Sequence, residues 1–303
     1  MHRIATIAAP VVLAGALALA GCGSAGSSRA ESRPQRTAST TTSAPPVRPD
    51  EPVDALVPVG ADGERMHLTC TGAGDETIVL VSGFGDDGSS WDLVAPELAE
   101  EARVCIPARF GLGTSDAPPR VQTFATEAED LHHLLAAAGE PGPYVVAGHS
   151  FGGAEAVAFA AAHPEDVTGL LLLDASPTTW PEAACAVPDD GSEAAGSFQA
   201  ACASFSDPAA NPERLDGPAA FDEVAQVRSL GDVPMAVLTR AGVVYPGLAP
   251  ASEQALAETW QAGQEHWASL SSAAEVVPVE RTGHGIQLEQ PGVVVDQVRA
   301  LLD

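Results

Sequence analysis

A serine between two glycines is the residue of this sequence that is best suited to act as a nucleophile. Ser150 lies in the run G-H-S-F-G over residues 148–152, after the apolar run 144–147 and before an alanine-rich run. A strand that turns sharply into a helix here would project the hydroxyl above the edge of a sheet, and the glycines would leave room for that strained turn. We therefore predict that Ser150 is a catalytic nucleophile; an incidental serine in a glycine-rich turn is the alternative.

A serine hydroxyl needs a general base near neutral pH, and histidine is suited to that role. Of the eight histidines, His284 is the candidate, because it lies between Gly283 and Gly285 directly after the last predicted strand. Functional sites in parallel sheets lie at the carboxyl edge of the strands. A surface histidine without a catalytic role is the alternative.

The third group that such chemistry needs is an acid that orients the imidazole. Asp174 follows the apolar run 167–173, so it is expected at the same sheet edge as Ser150. The predicted strand that ends near Arg240 is followed by no Asp or Glu before Glu253. We therefore predict Asp174 as the acid, in the chain order nucleophile, acid, histidine; a helix or loop cap is its alternative role.

Two backbone N–H groups are predicted to bind the oxyanion of a tetrahedral intermediate. The run S-G-F-G over residues 82–85 follows the predicted strand 77–81, and its glycines allow the N–H of Phe84 to point inward. The N–H of Phe151, the residue after the nucleophile, is the second predicted donor. A plain strand-ending turn is the alternative for residues 82–85.

Short β-rich runs alternate with helical runs from residue 54 onward, which predicts a mostly parallel sheet with helices on both faces. The predicted strands are 56–59, 65–71, 77–81, 103–107, 144–147, 167–173, 235–239 and 275–279. The predicted helices are 91–101, 123–138, 151–162, 252–270 and 292–302. Residues 176–231, rich in Pro, Ala, Asp and Gly, interrupt the alternation and predict an insertion between two strands that covers the site.

Residues 54–303 resemble the α/β-hydrolase superfamily, and within it the esterase-like and lipase-like members that carry a cap. The resemblance rests on residues 82–85, 110–116, 148–153, and 283–285 followed by 289–291. It implies an α/β fold with a mostly parallel, doubly wound sheet, in which residues 176–231 form the cap. It also implies a serine hydrolase that cleaves a carboxylic ester, or an amide, of a small molecule through an acyl-enzyme.

Three other functions stay open at this point. The same triad would serve a cofactor-free haloperoxidase or a hydrolase of C–C bonds, and a surface binding protein could keep the fold without turnover. A serine nucleophile disfavours dehalogenase and epoxide hydrolase chemistry, which need a carboxylate in that position. No cofactor is predicted, and no metal site is predicted, because the sequence shows no cluster of His and carboxylate residues with ligand spacing.

The charge of the chain excludes one class of partner. The 303 residues include 14 arginines, no lysine and 41 Asp and Glu residues, for a formal charge of −27. Binding to DNA or RNA depends on cationic side chains that displace counterions from phosphates. We therefore expect no nucleic-acid partner.

The N-terminal residues predict an exported lipoprotein. Residues 1–21 have a short basic start and a long apolar run, and L-A-G-C over residues 19–22 resembles the lipobox of bacterial lipoproteins. Cys22 would carry the lipid that anchors the protein to a membrane of the bacterial cell envelope, outside the cytoplasm. Residues 22–53 are a predicted disordered tether of Ser, Thr and Pro. An ordinary signal peptide or a single membrane helix is the alternative for residues 1–21.

Four cysteines remain after Cys22, an even number that suits disulfides outside the cytoplasm. Cys70 and Cys105 lie in predicted strands of one sheet, whereas Cys185 and Cys202 lie in the predicted insertion. We predict disulfides within each of these two pairs. Four buried thiols are the alternative.

Overall fold

Eight strands form one sheet in the computed structural model, which describes residues 51–242 and 245–302. The strands are β1 (Val53–Pro58), β2 (Arg65–Thr71), β3 (Thr77–Val81), β4 (Arg103–Ala108), β5 (Tyr144–His149), β6 (Val167–Leu173), β7 (Met235–Arg240) and β8 (Ala274–Val279). Their order across the sheet is β1-β2-β4-β3-β5-β6-β7-β8. In this sheet β2 runs opposite to the other strands, and the neighbouring pairs from β4 to β8 are parallel.

Helices of very different length connect and cover these strands. The α-helices of the described residues are α1 (Ala95–Leu98), α2 (Phe124–Ala138), α3 (Phe151–Ala162), α4 (Trp180–Cys185), α5 (Glu193–Ser206), α6 (Gly217–Val224), α7 (Pro250–Ala268), α8 (Ile286–Glu289) and α9 (Pro291–Leu302). Short 3₁₀ turns occur at Ser89–Trp91 and Pro164–Asp166. The helices follow the strands in the alternation that predicts a parallel sheet, so the predicted mostly parallel, doubly wound α/β sheet is confirmed.

The central strands are buried on both faces, which explains their continuous apolar sequences. Val79 of β3 belongs to the same core cluster as Phe159 of α3. The next residue, Leu80, points to the other face and shares a second cluster with Val295 of α9. Two cores therefore hold the sheet between helical layers, and they make its carboxyl edge a rigid support for a site.

One predicted helix is wrong. Residues 91–101 do not form one helix: Trp91 ends a 3₁₀ turn and only Ala95–Leu98 is α-helical. Pro96 is the reason, because proline lacks an N–H and disfavours helical backbone in the residue before it, so it is tolerated only in the first helical turn. The other predicted helices lie within two residues of their observed ends, as do the predicted strands apart from the start of β1.

Residues 176–231 lie between β6 and β7 and contain α4, α5 and α6. The Cys185–Cys202 disulfide joins α4 to α5 within this segment. The Cys70–Cys105 disulfide joins residues that are directly opposite each other on β2 and β4. Both disulfides of the structure have the pairing that the sequence predicts.

The predicted signal peptide, Cys22 and most of the predicted tether lie outside the described residues. Val53, the last residue of the predicted tether, is the first residue of β1 and pairs with Cys70. In residues 51–242 and 245–302, no helix combines the length and the hydropathy of a membrane-spanning segment.

Candidate active site

Ser150 lies at a sharp turn between β5 and α3, with φ 54° and ψ −119°. A Cβ atom on Gly148 would collide with the backbone of Gly152, and a Cβ atom on Gly152 would collide with the carbonyl oxygens of Val81 and Ser82. Glycine is therefore required on both sides of the serine by the close approach of backbone atoms. Strained backbone of this kind persists where the surrounding fold enforces it, as it does at many functional turns.

His284 lies between Ser150 and Asp174 and contacts both. Its Nε2 atom is 2.8 Å from Ser150 Oγ, and its Nδ1 atom is 2.7 Å from Asp174 Oδ2. Because an ionised carboxylate only accepts hydrogen bonds, Nδ1 carries the proton and Nε2 is free to accept one from the serine hydroxyl. In the sequence, His284 is 110 positions from Asp174 and 134 positions from Ser150. The fold thus brings these three predicted residues together.

The Asp174 carboxylate is completely buried and is held by donors from β7 and α7. Its Oδ1 atom accepts a hydrogen bond from Trp260 Nε1 at 2.8 Å and lies 3.4 Å from Thr239 Oγ1 and from the backbone N of Arg240. The guanidinium Nε of Arg240 is 3.4 Å from Oδ2. These groups offset the cost of burying a charge. Trp260 was not predicted as part of the site, because an indole donor in a helix has no distinguishing sequence pattern.

The turn over residues 148–152, which we call the elbow, also contains His149, and this residue supports the loop that carries His284. Its Nε2 donates a hydrogen bond to the carbonyl oxygen of His284 at 2.9 Å. Burial, followed by the proximity of the His284 ring, lowers the pKa of His149 to about 4. The His149 ring is therefore neutral at neutral pH and acts as a fixed donor. The sequence analysis gave this residue no role.

We expect that replacing His149 with glutamine reduces the pH dependence of stability. The folded-state pKa of about 4 lies below the ordinary 6.5, so the stabilisation from the neutral ring is complete above pH 6.5 and is lost as the pH falls towards 4. Glutamine keeps an N–H donor but does not titrate. Between pH 7 and pH 4 the unmodified protein should lose about 3 kcal/mol more unfolding free energy than His149→Gln. Urea unfolding at several pH values measures this, and equal losses in both proteins would contradict it.

The residues predicted to supply the oxyanion donors, Phe84 and Phe151, lie on two adjacent segments. Residues 82–85, which we call the oxyanion loop, pass so close to the elbow that a Cβ on Gly83 would lie 3.5 Å from Ser150 Cβ. The rings of Phe84 and Phe151 are 5.9 Å apart. Within the described residues, neither of their backbone N–H groups has a hydrogen-bond acceptor. Both N–H groups are therefore available to a bound oxygen atom.

A second hydroxyl lies beside the nucleophile. Ser176 Oγ is 3.3 Å from Ser150 Oγ, and the Ser176 N–H donates to the carbonyl oxygen of Ser150 at 3.0 Å. Ser176 begins the insertion directly after β6, so it reaches the elbow from the neighbouring strand. Ser176 was not predicted from the sequence as part of the site.

The structure also brings together a group that the sequence analysis did not foresee. Potential ligand atoms of His132, His163 and Asp166 lie within 4.8 Å of one another. The two imidazole rings are stacked, with centroids 4.1 Å apart and planes 5° from parallel. A metal ion lies in the plane of an imidazole that binds it, about 2 Å from the nitrogen, so both rings could not ligate one ion in this arrangement.

Comparison with known proteins identifies related sequences. A model of the alpha/beta hydrolase family matches residues 78–297, more than two thirds of the chain. Lipase 1 of Psychrobacter immobilis is 35% identical over 119 residues, which are 38% of this chain and 37% of that protein. Lipase 3 of Moraxella sp. (strain TA144) is 33% identical over 116 residues, 38% and 36% of the two chains. The chain thus spans little more than a third of the length of these curated relatives.

Solved structures show the same fold over most of the chain. A thermophilic esterase from Thermogutta terrifontis has a TM-score of 0.58 and 24% identity, with 83% of this chain and 98% of that chain covered. The epoxide hydrolase CorEH has a TM-score of 0.56 and 20% identity, with the same coverage of 83% and 98%. Because these similar folds carry different chemistries, the reaction has to be derived from the site.

Proposed function

The chain belongs to the alpha/beta hydrolase family, and we propose that it is a serine hydrolase that cleaves carboxylic esters through an acyl-enzyme. The observation that carries this proposal is the position of the His284 imidazole. Its two nitrogens lie 2.8 Å from Ser150 Oγ and 2.7 Å from Asp174 Oδ2. Serine beside a general base that is itself oriented by an acid is the arrangement that nucleophilic catalysis requires.

In the proposed reaction, Ser150 Oγ attacks the ester carbonyl carbon while His284 Nε2 takes the hydroxyl proton. The N–H groups of Phe84 and Phe151 bind the negative oxygen of the tetrahedral intermediate. His284 returns the proton to the departing alcohol, and the acyl group stays on Ser150. A water molecule, deprotonated by the same imidazole, then releases the acid, and the proton returns to the serine. Asp174 stays ionised and stabilises the imidazolium at both stages.

The size of an apolar cavity next to the oxyanion loop favours a short acyl group. The cavity has a volume of about 100 Å³. Its lining residues are Phe84, Trp180, Pro181, Ala184, Cys185, Ala201, Cys202 and Phe205. A dry cavity of about 150 Å³ holds a benzene molecule, so this one suits an acyl chain of about four carbons. We therefore propose small esters with short, uncharged acyl chains as substrates.

A series of p-nitrophenyl esters tests the function and the acyl preference together. We expect acetate and butyrate esters to have a kcat/KM roughly tenfold or more above the decanoate ester, because a decanoyl chain exceeds the cavity volume and would have to displace its lining side chains. The matched variant Ala184→Leu fills the cavity and should lower activity on butyrate more than on acetate. A fluorophosphonate should label the folded protein on Ser150. Absence of both ester turnover and labelling would contradict the proposed function.

We also propose that the protein is exported and anchored through a lipid on Cys22. The two disulfides support export, since they form in oxidising compartments. The proposed small-molecule substrate would then be met outside the cytoplasm. Mass measurement of the protein extracted from membranes tests this: a chain that begins at Cys22 with added acyl mass is expected. A chain that retains residues 1–21 or begins elsewhere would contradict the anchor.

A further inference from the structure

A buried ionic cluster lies directly behind the oxyanion loop. It consists of Arg109, which follows β4, and three glutamates, Glu127 of α2, Glu155 of α3 and Glu213 of the insertion. Each of these side chains is at most 5% exposed. Burial lowers the pKa of Arg109, but the three carboxylates outweigh this and hold it above its ordinary value. The guanidinium of Arg109 is therefore always charged. Burial also raises the pKa of Glu127 and of Glu155.

The guanidinium of Arg109 donates to the oxyanion loop as well as to the glutamates. Its Nη2 donates to the carbonyl oxygen of Gly83 at 2.6 Å, and its Nη1 donates to the carbonyl oxygen of Ser82 at 2.8 Å. On the other side, Nε donates to Glu213 at 2.6 Å and Nη1 to Glu155 at 3.1 Å. The glutamates thus hold the planar guanidinium in one orientation, with two donors aimed at the loop.

The Gly83 carbonyl matters because it belongs to the same peptide unit as the Phe84 N–H. In a planar trans peptide the C=O and the N–H point in opposite directions. A hydrogen bond that fixes the Gly83 oxygen towards Arg109 therefore fixes the Phe84 N–H away from it. A charged donor on the carbonyl also polarises the peptide unit, which strengthens the N–H as a donor.

The next peptide unit, between Phe84 and Gly85, is held by Glu213 of the insertion. The N–H of Gly85 donates to Glu213 Oε1 at 2.7 Å, while Glu213 Oε2 accepts from Arg109. The peptides on both sides of Phe84 are therefore held by one Arg–Glu pair. Arg109 also packs against the side chain of Phe151, since its guanidinium carbon is 5.0 Å from the centre of the Phe151 ring. Glu155 lies one turn further along the same helix as Phe151.

We propose that Arg109 is a positioning residue for the oxyanion hole: it orients the Gly83–Phe84 peptide so that the Phe84 N–H faces the developing oxyanion, and Glu213 links that orientation to the insertion. This inference rests on the proposed function, because it assigns a role in the same reaction. Arg109 does not contact the ester itself. Its effect should therefore be larger on the transition state than on substrate binding.

The variant Arg109→Lys tests this inference. Lysine keeps a positive charge among the glutamates but lacks the planar fork that reaches both loop carbonyls. We expect kcat for a short-chain ester to fall roughly 10- to 100-fold, less than for the complete loss of one oxyanion donor because the Phe84 N–H is misplaced and not removed, with little change in KM. The inhibition constant of a trifluoromethyl ketone, whose Ser150 adduct carries an oxyanion, should rise by a similar factor. The inhibition constant of an ether of the same shape should not change.

Arg103→Lys is the matched control. Arg103 is also buried, pairs with Glu140 at 2.6 Å and donates to a backbone carbonyl, but it lies at the opposite end of β4. The Arg103→Lys substitution should alter the free energy of unfolding without changing kcat or the inhibition constant of the trifluoromethyl ketone. If Arg109→Lys does not fold, Glu213→Gln, which keeps the shape but removes the anion from the pair, should show a smaller fall of the same kind.

The outcomes separate this inference from the proposed function. If the wild-type enzyme is active but Arg109→Lys and Glu213→Gln change the inhibition constants of the ether and of the ketone by the same factor, the positioning role is overturned. The proposed function then stays intact. If Arg103→Lys lowers kcat as much as Arg109→Lys does, the positioning role is likewise overturned. A wild-type protein without ester turnover or phosphonate labelling would overturn both.

Discussion

Replacing Ser150 with alanine is expected to lower kcat/KM for a short-chain ester by roughly 10⁵-fold or more, to a level that transition-state binding alone can support. The variant lacks the atom that forms the acyl-enzyme, so water would have to attack the ester directly. Alanine is smaller than serine and needs no new space at the elbow, so the fold should be retained. Steady-state kinetics and fluorophosphonate labelling measure the effect.

Ser176→Ala is the matched control for this loss. It removes a hydroxyl 3.3 Å from Ser150 Oγ and leaves the contact between Ser150 and His284 in place. We expect a loss of less than about tenfold, the size of one neutral hydrogen bond, and normal phosphonate labelling. If a fluorophosphonate still labels the Ser150→Ala protein, or if this protein turns over ester at the wild-type rate, the assignment of Ser150 as the nucleophile is wrong.

The second large effect is expected for Asp174→Asn, with a fall in kcat/KM of roughly 10⁴-fold. Asp174 Oδ2 accepts the Nδ1–H of His284 at 2.7 Å and so selects the tautomer whose Nε2 can accept the serine proton. An asparagine amide can present its NH₂ group to Nδ1 instead, which reverses the tautomer, and it carries no charge to stabilise the imidazolium. The volume is nearly unchanged, so thermal unfolding should show a folded protein with low activity.

Two further variants test the assignment of Asp174 as the acid. Glu253 is the first carboxylate after β7, and its Oε1 accepts from the backbone N of Tyr245 at 3.1 Å. Glu253→Gln should keep activity within about twofold, because it removes one charge and keeps a hydrogen-bond acceptor. Trp260→Phe removes one donor to Asp174 and should cost about tenfold, the size of a single hydrogen bond to a charged group. A loss in Glu253→Gln as large as in Asp174→Asn would show that the acid was misassigned.

The elbow and the order of the candidate residues could be predicted because each depends on local sequence. The apolar run before Ser150 predicts a buried strand, and the flanking glycines predict a turn with close backbone approach. The contacts that a Cβ on Gly148 or Gly152 would make give the reason. Asp174 could be chosen in the same way, because it directly follows a buried strand on the same sheet edge.

The partners of these residues could not be predicted. Trp260 donates to Asp174 from 86 positions away, and Glu213 binds Arg109 from 104 positions away. Neither contact has a periodicity or a motif, because each depends on how α7 and the insertion pack against the sheet. The failed helix over residues 91–101 has a local cause, Pro96, whose position in the first turn of a shorter helix only the structure shows.

Local sequence was enough to predict the sheet of apolar strands, the strained serine turn and the types of residue at the strand ends, because these follow from side-chain burial and from backbone conformations open to glycine. The three-dimensional packing was needed to show that His284 lies between Ser150 and Asp174, and that a buried arginine donates hydrogen bonds to the oxyanion loop. Such contacts depend on distances between segments far apart in the chain. Those distances are set by the packing of both cores at once, which no local pattern encodes.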